Sequence, residues 1–150
     1  CRPLAKLLDG RWVVGLRNPG HTIAKILDPF AQAGVPSIRV VNHTHPEYAH
    51  SLTSYLEHAQ ARALLMRGTE GEPVADARRQ PKLDVFVGGQ KRADLSRAPQ
   101  DGVLTTLPNL PTLIGPQNTA GFILEVIHGK APMPDAINTQ VDCLIQALAA

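Results

Sequence analysis

Cysteine is nearly absent from this sequence of 150 residues: Cys1 and Cys143 are the two it has. Two cysteines build neither a disulfide framework nor a four-cysteine zinc site. Aromatic residues are scarce as well, three Phe, two Tyr and one Trp. The basic clusters carry no run of interleaved aromatics, so stacking of bases on an aromatic platform is not indicated. No apolar run approaches the ~20 residues that span a bilayer. No stretch has a signal-peptide pattern, and no internal repeat or low-complexity tract is present. The expectation is a cytoplasmic protein with no membrane partner. Hydrophobic residues make up 43% of the chain, enough to bury a core and to exclude disorder along its whole length.

Charge is nearly balanced overall, at +2, but unevenly placed. Arg2, Lys6, Arg11, Arg17, Lys25 and Arg39 face only Asp9 and Asp28 in the first part of the chain. Arg67, Arg78, Arg79, Lys82, Lys91, Arg92 and Arg97 form a second basic group, interspersed with five acids. The last fifty residues hold Lys130 against four acids. A basic front and an acidic tail suggest an anionic partner near the first part; solvated surface charge is the plain alternative.

Hydrophobic spacing outlines the elements. Pro3 to Leu8 reads as a short helix stopped at Gly10, and Gly20 to Phe30 as a second helix. Ser37 to Val41 reads as a buried strand, Thr44 or His45 before Pro46 as a helix start, and Ala63 to Met66 as a second buried strand. Strand, helix and strand within about thirty residues is the size of a right-handed βαβ unit. Leu83 to Val87 reads as a strand ending at Gly88-Gly89, and Leu104 to Leu107 as another among several prolines. Asn118 is placed to cap a helix running to His128 and closed by Gly129. A last helix starts at Asp135, with Ile137, Val141, Leu144, Ile145 and Leu148 on its apolar face and Cys143 in the core. The fold class is therefore α/β, a mixed, mostly parallel sheet covered by helices.

Arg67-Gly68-Thr69-Glu70-Gly71-Glu72 is the most suggestive stretch. It follows a buried strand, at the carboxyl end where open α/β sheets bind ligands, and Glu70 and Glu72 are oxygen donors suited to magnesium. The same residues also make an ordinary polar turn. His43 and His45 flank Thr44, but no third ligand is spaced to complete a zinc site, and hydrogen-bonded surface histidines are the plainer reading. Gly88-Gly89 lacks the rest of a phosphate loop, and no serine lies in a nucleophile elbow. Arg78-Arg79 with Lys82, and Lys91-Arg92 with Arg97, are spaced to neutralise phosphates.

Several segments together resemble a known family. Gly15-Leu16-Arg17-Asn18 with His21-Thr22-Ile23-Ala24-Lys25 and Pro29-Phe30, His45-Pro46-Glu47-Tyr48, residues 62–72 and Asn118-Thr119-Ala120-Gly121 are similar to YbiB-type proteins. Those belong to the anthranilate phosphoribosyltransferase-like superfamily (glycosyltransferase family 3). The resemblance implies a nucleoside phosphorylase/phosphoribosyltransferase-like α/β domain beside a helical domain through which two subunits pair as a homodimer. Residues 1–33 would be return helices of that helical domain and 34–150 the C-terminal part of the α/β domain. The first strands and the glycine-rich loop for phosphoribosyl pyrophosphate would lie upstream, consistent with a first residue that is not Met, and Ala150 would be a truncation. Active transferases carry an Asp-Glu magnesium pair; aligned here, its positions fall on Gly71 and Glu72, with Glu70 one residue away. Their arginine-rich substrate segment corresponds to Arg11–His21, with Arg17 or His21 orienting the acceptor. YbiB-type proteins are regarded as sequence-independent nucleic-acid binders that kept the transferase fold. The resemblance therefore implies binding of DNA or RNA through its phosphates, with Arg11, Arg17, Lys25, Arg78, Arg79 and Lys82 as ligands. A phosphoribosyl or pentosyl transferase using magnesium is the alternative, and no other cofactor is implied.

Overall fold

The structure, a computed structural model, describes residues 1–31, 33–102 and 110–150. Its elements in chain order are α1 (Arg2–Val14), α2 (Pro19–Ile26), β1 (Arg39–His43), α3 (Pro46–His58), β2 (Ala63–Arg67), β3 (Leu83–Val87), β4 (Gln90–Lys91), α4 (Pro116–Ile127) and α5 (Asp135–Ala149). The strand expected at Leu104–Leu107 lies outside the described residues. No helix among the described residues is long and apolar enough to cross a membrane.

The four strands form one sheet in the order β1-β2-β3-β4. β1 and β2 are parallel, with Arg39 beside Ala63 and His43 beside Arg67, and α3 supplies the crossover between them. The βαβ unit is thus present. β2–β3 and β3–β4 are antiparallel, so the described sheet is mixed, with parallel pairing confined to β1 and β2. For β3 and β4 the reason is local: only two residues, Gly88 and Gly89, separate them, and a connection that short closes an antiparallel hairpin.

β2 is buried on both faces, which is why it reads as a continuous apolar run. Leu64 and Met66 point to a cluster with Leu83, Val85, Ala136, Cys143 and Ala147, covered by α5. Ala63 and Leu65 point the other way, to Val41, Leu56 and Phe86 under α3. The sheet is therefore sandwiched between α3 and α5.

Several boundaries differ from the sequence reading. α1 does not stop at Gly10 but runs to Val14 and ends at Gly15, which is left-handed at φ 75°. An internal glycine costs a helix only about 1 kcal/mol, so Gly10 weakens the helix without ending it. α2 ends at Ile26 rather than Phe30, because Pro29 has no N–H to continue the ladder and disfavours helix at the residue before it. β1 begins two residues later than expected, at Arg39, where its N–H bonds the carbonyl of Arg62 at 3.1 Å. α4 starts at Pro116 behind Gly115, so Asn118 sits inside the first turn and is not the cap.

The largest correction concerns α5. The face against the sheet is Ala136, Gln140, Cys143 and Ala147, with Leu144 packed against the same core as expected, while Val141, Ile145 and Leu148 are exposed. Small side chains let the helix lie close on the sheet. Gln140 fixes its rotation: its Oε1 accepts from Ala75 N at 2.8 Å, and its Nε2 donates to the Pro73 carbonyl at 2.9 Å. Burial raises the pKa of the Cys143 thiol, in keeping with a core cysteine.

Asp28 ties the end of α2 to β1. Its carboxylate accepts from Phe30 N at 3.0 Å and from the Ser37 hydroxyl at 3.0–3.1 Å, and it faces Arg39 at 3.6 Å. Burial acts to raise its pKa, but these partners together outweigh it and hold the carboxyl below its ordinary value.

The rotation of α5 is directly testable. Gln140→Leu leaves Ala75 N buried without a partner and should cost about 1–3 kcal/mol in urea denaturation. Ile145→Gln, on the expected but exposed face, should change stability by less than about 0.5 kcal/mol. The reverse ranking would place the apolar stripe against the sheet.

Candidate functional site

The carboxyl ends of β1 and β2 lie side by side, and Gly68 N extends their ladder by donating to the His43 carbonyl at 3.0 Å. The chain then reverses at once. Thr69 and Glu72 exchange backbone hydrogen bonds at 3.0 and 2.9 Å around Glu70 (φ 51°) and Gly71 (φ 87°). Two left-handed central residues make this a type I′ turn, for which glycine is suited and glutamate is strained. Three side chains hold it. Asn42 Nδ2 donates to the Gly71 carbonyl at 2.7 Å, Lys25 Nζ donates to the same oxygen at 3.2 Å, and Thr69 Oγ1 donates to the Val74 carbonyl at 2.8 Å. The fit is close: a Cβ on Gly68 would run into Asn42 Nδ2 and lie 2.6 Å from the Glu72 carbonyl.

α1 and α2 stand over this turn. Asn18 caps α2 by accepting from Gly20 N at 2.9 Å, and His21 Nδ1 reaches back to Asn18 N at 3.3 Å, completing a capping box. Asn18 Nδ2 also donates to the Leu7 carbonyl at 2.6 Å, fixing α1 against α2.

Three clefts surround the turn. One of about 440 Å³, between α1, α2 and the turn, brings together Arg11, Arg17, His21, Lys25, Glu70 and Glu72, with Asp9 and Trp12. A second, of about 400 Å³, shares Arg17, His21 and Lys25 and is walled by Asn42, His43 and Tyr48, with no carboxylate among its lining residues. The third, about 620 Å³, lies on the far side and is lined by His43, Arg67, Glu70, Asp76, Arg78, Arg79, Lys82 and Asp84. The two basic groups that the sequence keeps apart thus flank a single turn, and Glu70 borders both sides.

Not all of these cations are available. Arg78 forks onto Asp76 at 2.9–3.0 Å; this contact raises the guanidinium pKa and, against the opposing effect of burial, lowers that of Asp76. Lys82 and Lys91 share Asp84 at 3.1 and 2.7 Å, and Asp84 holds the Lys82 pKa above its ordinary value. By contrast, Arg11, Arg17, Lys25, Arg67 and Arg79 form no ion pair among the described residues. Arg79 Nε only bonds the Gln100 carbonyl at 3.3 Å, and Arg11 lies over the Trp12 ring at 4.2 Å.

Glu70 and Glu72 border the same cleft, but among the described residues no group of three or more His, Cys, Asp or Glu side chains is placed to hold a metal ion. The carboxylate oxygens suit magnesium in kind, and that ion is commonly held by one or two carboxylates with phosphates and water. Here it would need a phosphate to complete it.

The sequence reading overlooked Asn42 and Trp12, and it left Arg67 out of the ligand set although Arg67 opens the 67–72 stretch. Arg67 shows its signal as the charged end of an apolar strand, and Trp12 as an aromatic next to Arg11. Asn42 has none, because its partner is twenty-nine positions away.

No family model matches the chain. It is 35% identical over 147 residues to a protein of Escherichia coli (strain K12) described as "Uncharacterized protein YbiB", covering 98% of this chain and 44% of that protein. The chain therefore spans less than half the length of that relative, and the similarity supports a YbiB-type relationship.

The packing at Gly68 makes a clear prediction. Gly68→Ala should cost about 1–3 kcal/mol in chemical denaturation, because the new methyl must displace Asn42 or the backbone at Glu72. An unchanged midpoint would show that the turn is not held as described.

Proposed function

We propose that this chain binds DNA or RNA through the phosphate backbone, without sequence preference, as part of a protein of the anthranilate phosphoribosyltransferase-like superfamily. The observation that carries this reading is the convergence of cations from α1–α2 and from residues 67–82 on either side of one turn. Arg11, Arg17, Lys25, Arg67 and Arg79 are the phosphate ligands. Arg78 and Lys82 contribute less, since Asp76 and Asp84 already neutralise them. Long cationic side chains on an open surface meet phosphates at many registers, which favours affinity over base discrimination. In this reading residues 1–33 belong to a helical domain that pairs two subunits, 34–150 to the α/β domain, and the mostly parallel sheet to the whole protein. The second subunit completes the groove.

A second reading is favoured by one feature: Glu70 and Glu72 share a cleft with Arg17 and His21. A phosphoribosyl or pentosyl transferase would place magnesium-pyrophosphate at these carboxylates and the acceptor at Arg17 or His21, with Gly71 standing where the aspartate of the magnesium pair is expected and leaving that pair incomplete. Calorimetric heat with phosphoribosyl pyrophosphate and magnesium would support it, and no heat would count against it.

Binding to a labelled duplex, followed by anisotropy between about 50 and 200 mM salt, tests the leading reading. Affinity should fall steeply with salt and be equal for two unrelated sequences. Arg17→Ala should reduce the log–log salt slope by about 1, the signature of one lost phosphate contact. Asp84→Asn, which frees Lys82 and Lys91, should tighten binding. Salt-insensitive or absent binding would overturn the reading.

A further inference from the structure

Although the sequence indicates no aromatic platform, we infer that the site takes single strands by stacking unpaired bases on Trp12 and Tyr48, which the fold brings to either side of the cations that hold the phosphates. This rests on the nucleic-acid reading and adds to it a class of ligand and two contacts.

Arg17, His21 and Lys25 border both of the smaller clefts and so form a ridge between them. Each cleft has one exposed aromatic ring. Trp12 is 75% exposed in the first and Tyr48 is 55% exposed in the second. Trp12 already carries a cation over its ring. The Arg11 guanidinium over its ring adds a cation to the stack, a combination that recurs where single strands bind. Tyr48 sits in the first turn of α3 beside His45, ring centroids 6.1 Å apart and tilted, and lines the second cleft.

The charges set which cleft holds the backbone. Asp9, Glu70 and Glu72 offset the cations of the Trp12 cleft, whereas the Tyr48 cleft has no carboxylate in its lining, so the backbone is held more strongly on the Tyr48 side. A strand crossing the ridge therefore places phosphates on Arg17 and Lys25, and a base, which carries no charge, toward Trp12. A duplex keeps its bases inside the stack and cannot offer a face to either ring. Duplex and single strand then share the phosphate contacts and differ only at the aromatics.

Trp12 is the sole tryptophan of this chain, so its fluorescence reports the contact. The full-length protein is titrated at low salt with oligothymidylate of about twelve nucleotides, an abasic strand of equal length and a duplex of equal length. Oligothymidylate should quench the emission that wild type shows in excess of Trp12→Phe, and the abasic strand should not. Trp12→Ala should weaken oligothymidylate about fivefold or more, but the abasic strand and the duplex by less than about twofold. Tyr48→Ala should show the same selectivity, and Trp12→Phe should retain most of the affinity. Equal losses on all three ligands, or no quench by oligothymidylate, would overturn the stacking contacts and leave the backbone reading standing. Failure of all three ligands to bind would remove the backbone reading itself.

Discussion

The carbonyl oxygen of Gly71 is the point on which the site depends. Asn42, buried at the end of β1, and Lys25, from α2, both donate to it. A buried amide left without a partner costs on the order of 1–3 kcal/mol, so the turn cannot move away from Asn42 cheaply. The missing side chain at Gly68 is what allows the approach, since a methyl there would occupy the space of the Asn42 amide. One oxygen thus joins the parallel strand pair, the turn and the helical front. The carboxylates of Glu70 and Glu72, and the cations of α2, take their relative positions from it.

Around that point the charges are graded. Arg78 and Lys82 are matched by acids two residues away, and such pairs at the surface add little to stability and subtract from what a ligand can use. Arg17 and Arg67 have no such match among the described residues, and both border the clefts at the ends of β1 and β2. The cations open to a polyanion on the proposed reading are therefore fewer than a count of Lys and Arg suggests, and more concentrated. The turn carboxylates separate the two groups of cations.

Much of the fold is legible in the sequence because burial on both faces leaves an unambiguous mark. Ala63 to Met66 and Leu83 to Val87 read as strands for that reason, and Pro46 and Asp135 mark helix starts. The orientation of α5 is not legible, because Val141, Ile145 and Leu148 face outward and a single glutamine sets its rotation through contacts with Pro73 and Ala75. Gly10 misleads for a related reason: an internal glycine is a modest cost that the rest of α1 absorbs. At the site, the basic residues and the 68–72 turn stand out by composition. Their division into paired and unpaired cations is partly legible, since Asp76 and Asp84 lie two positions from Arg78 and Lys82. The convergence of α2 on the turn is a long-range fact that no local pattern carries.

The central claim is that phosphates bind at the ends of β1 and β2, on the surface organised by the Gly71 carbonyl. Backbone amide shifts, followed while a short oligonucleotide is titrated into the labelled protein, test it most directly. The account predicts that perturbed amides cluster at Arg17–Lys25, Asn42–Thr44 and Arg67–Glu72, and that those of α4 and α5 stay in place. Perturbations centred on α4 or α5, with residues 67–72 unaffected, would contradict it.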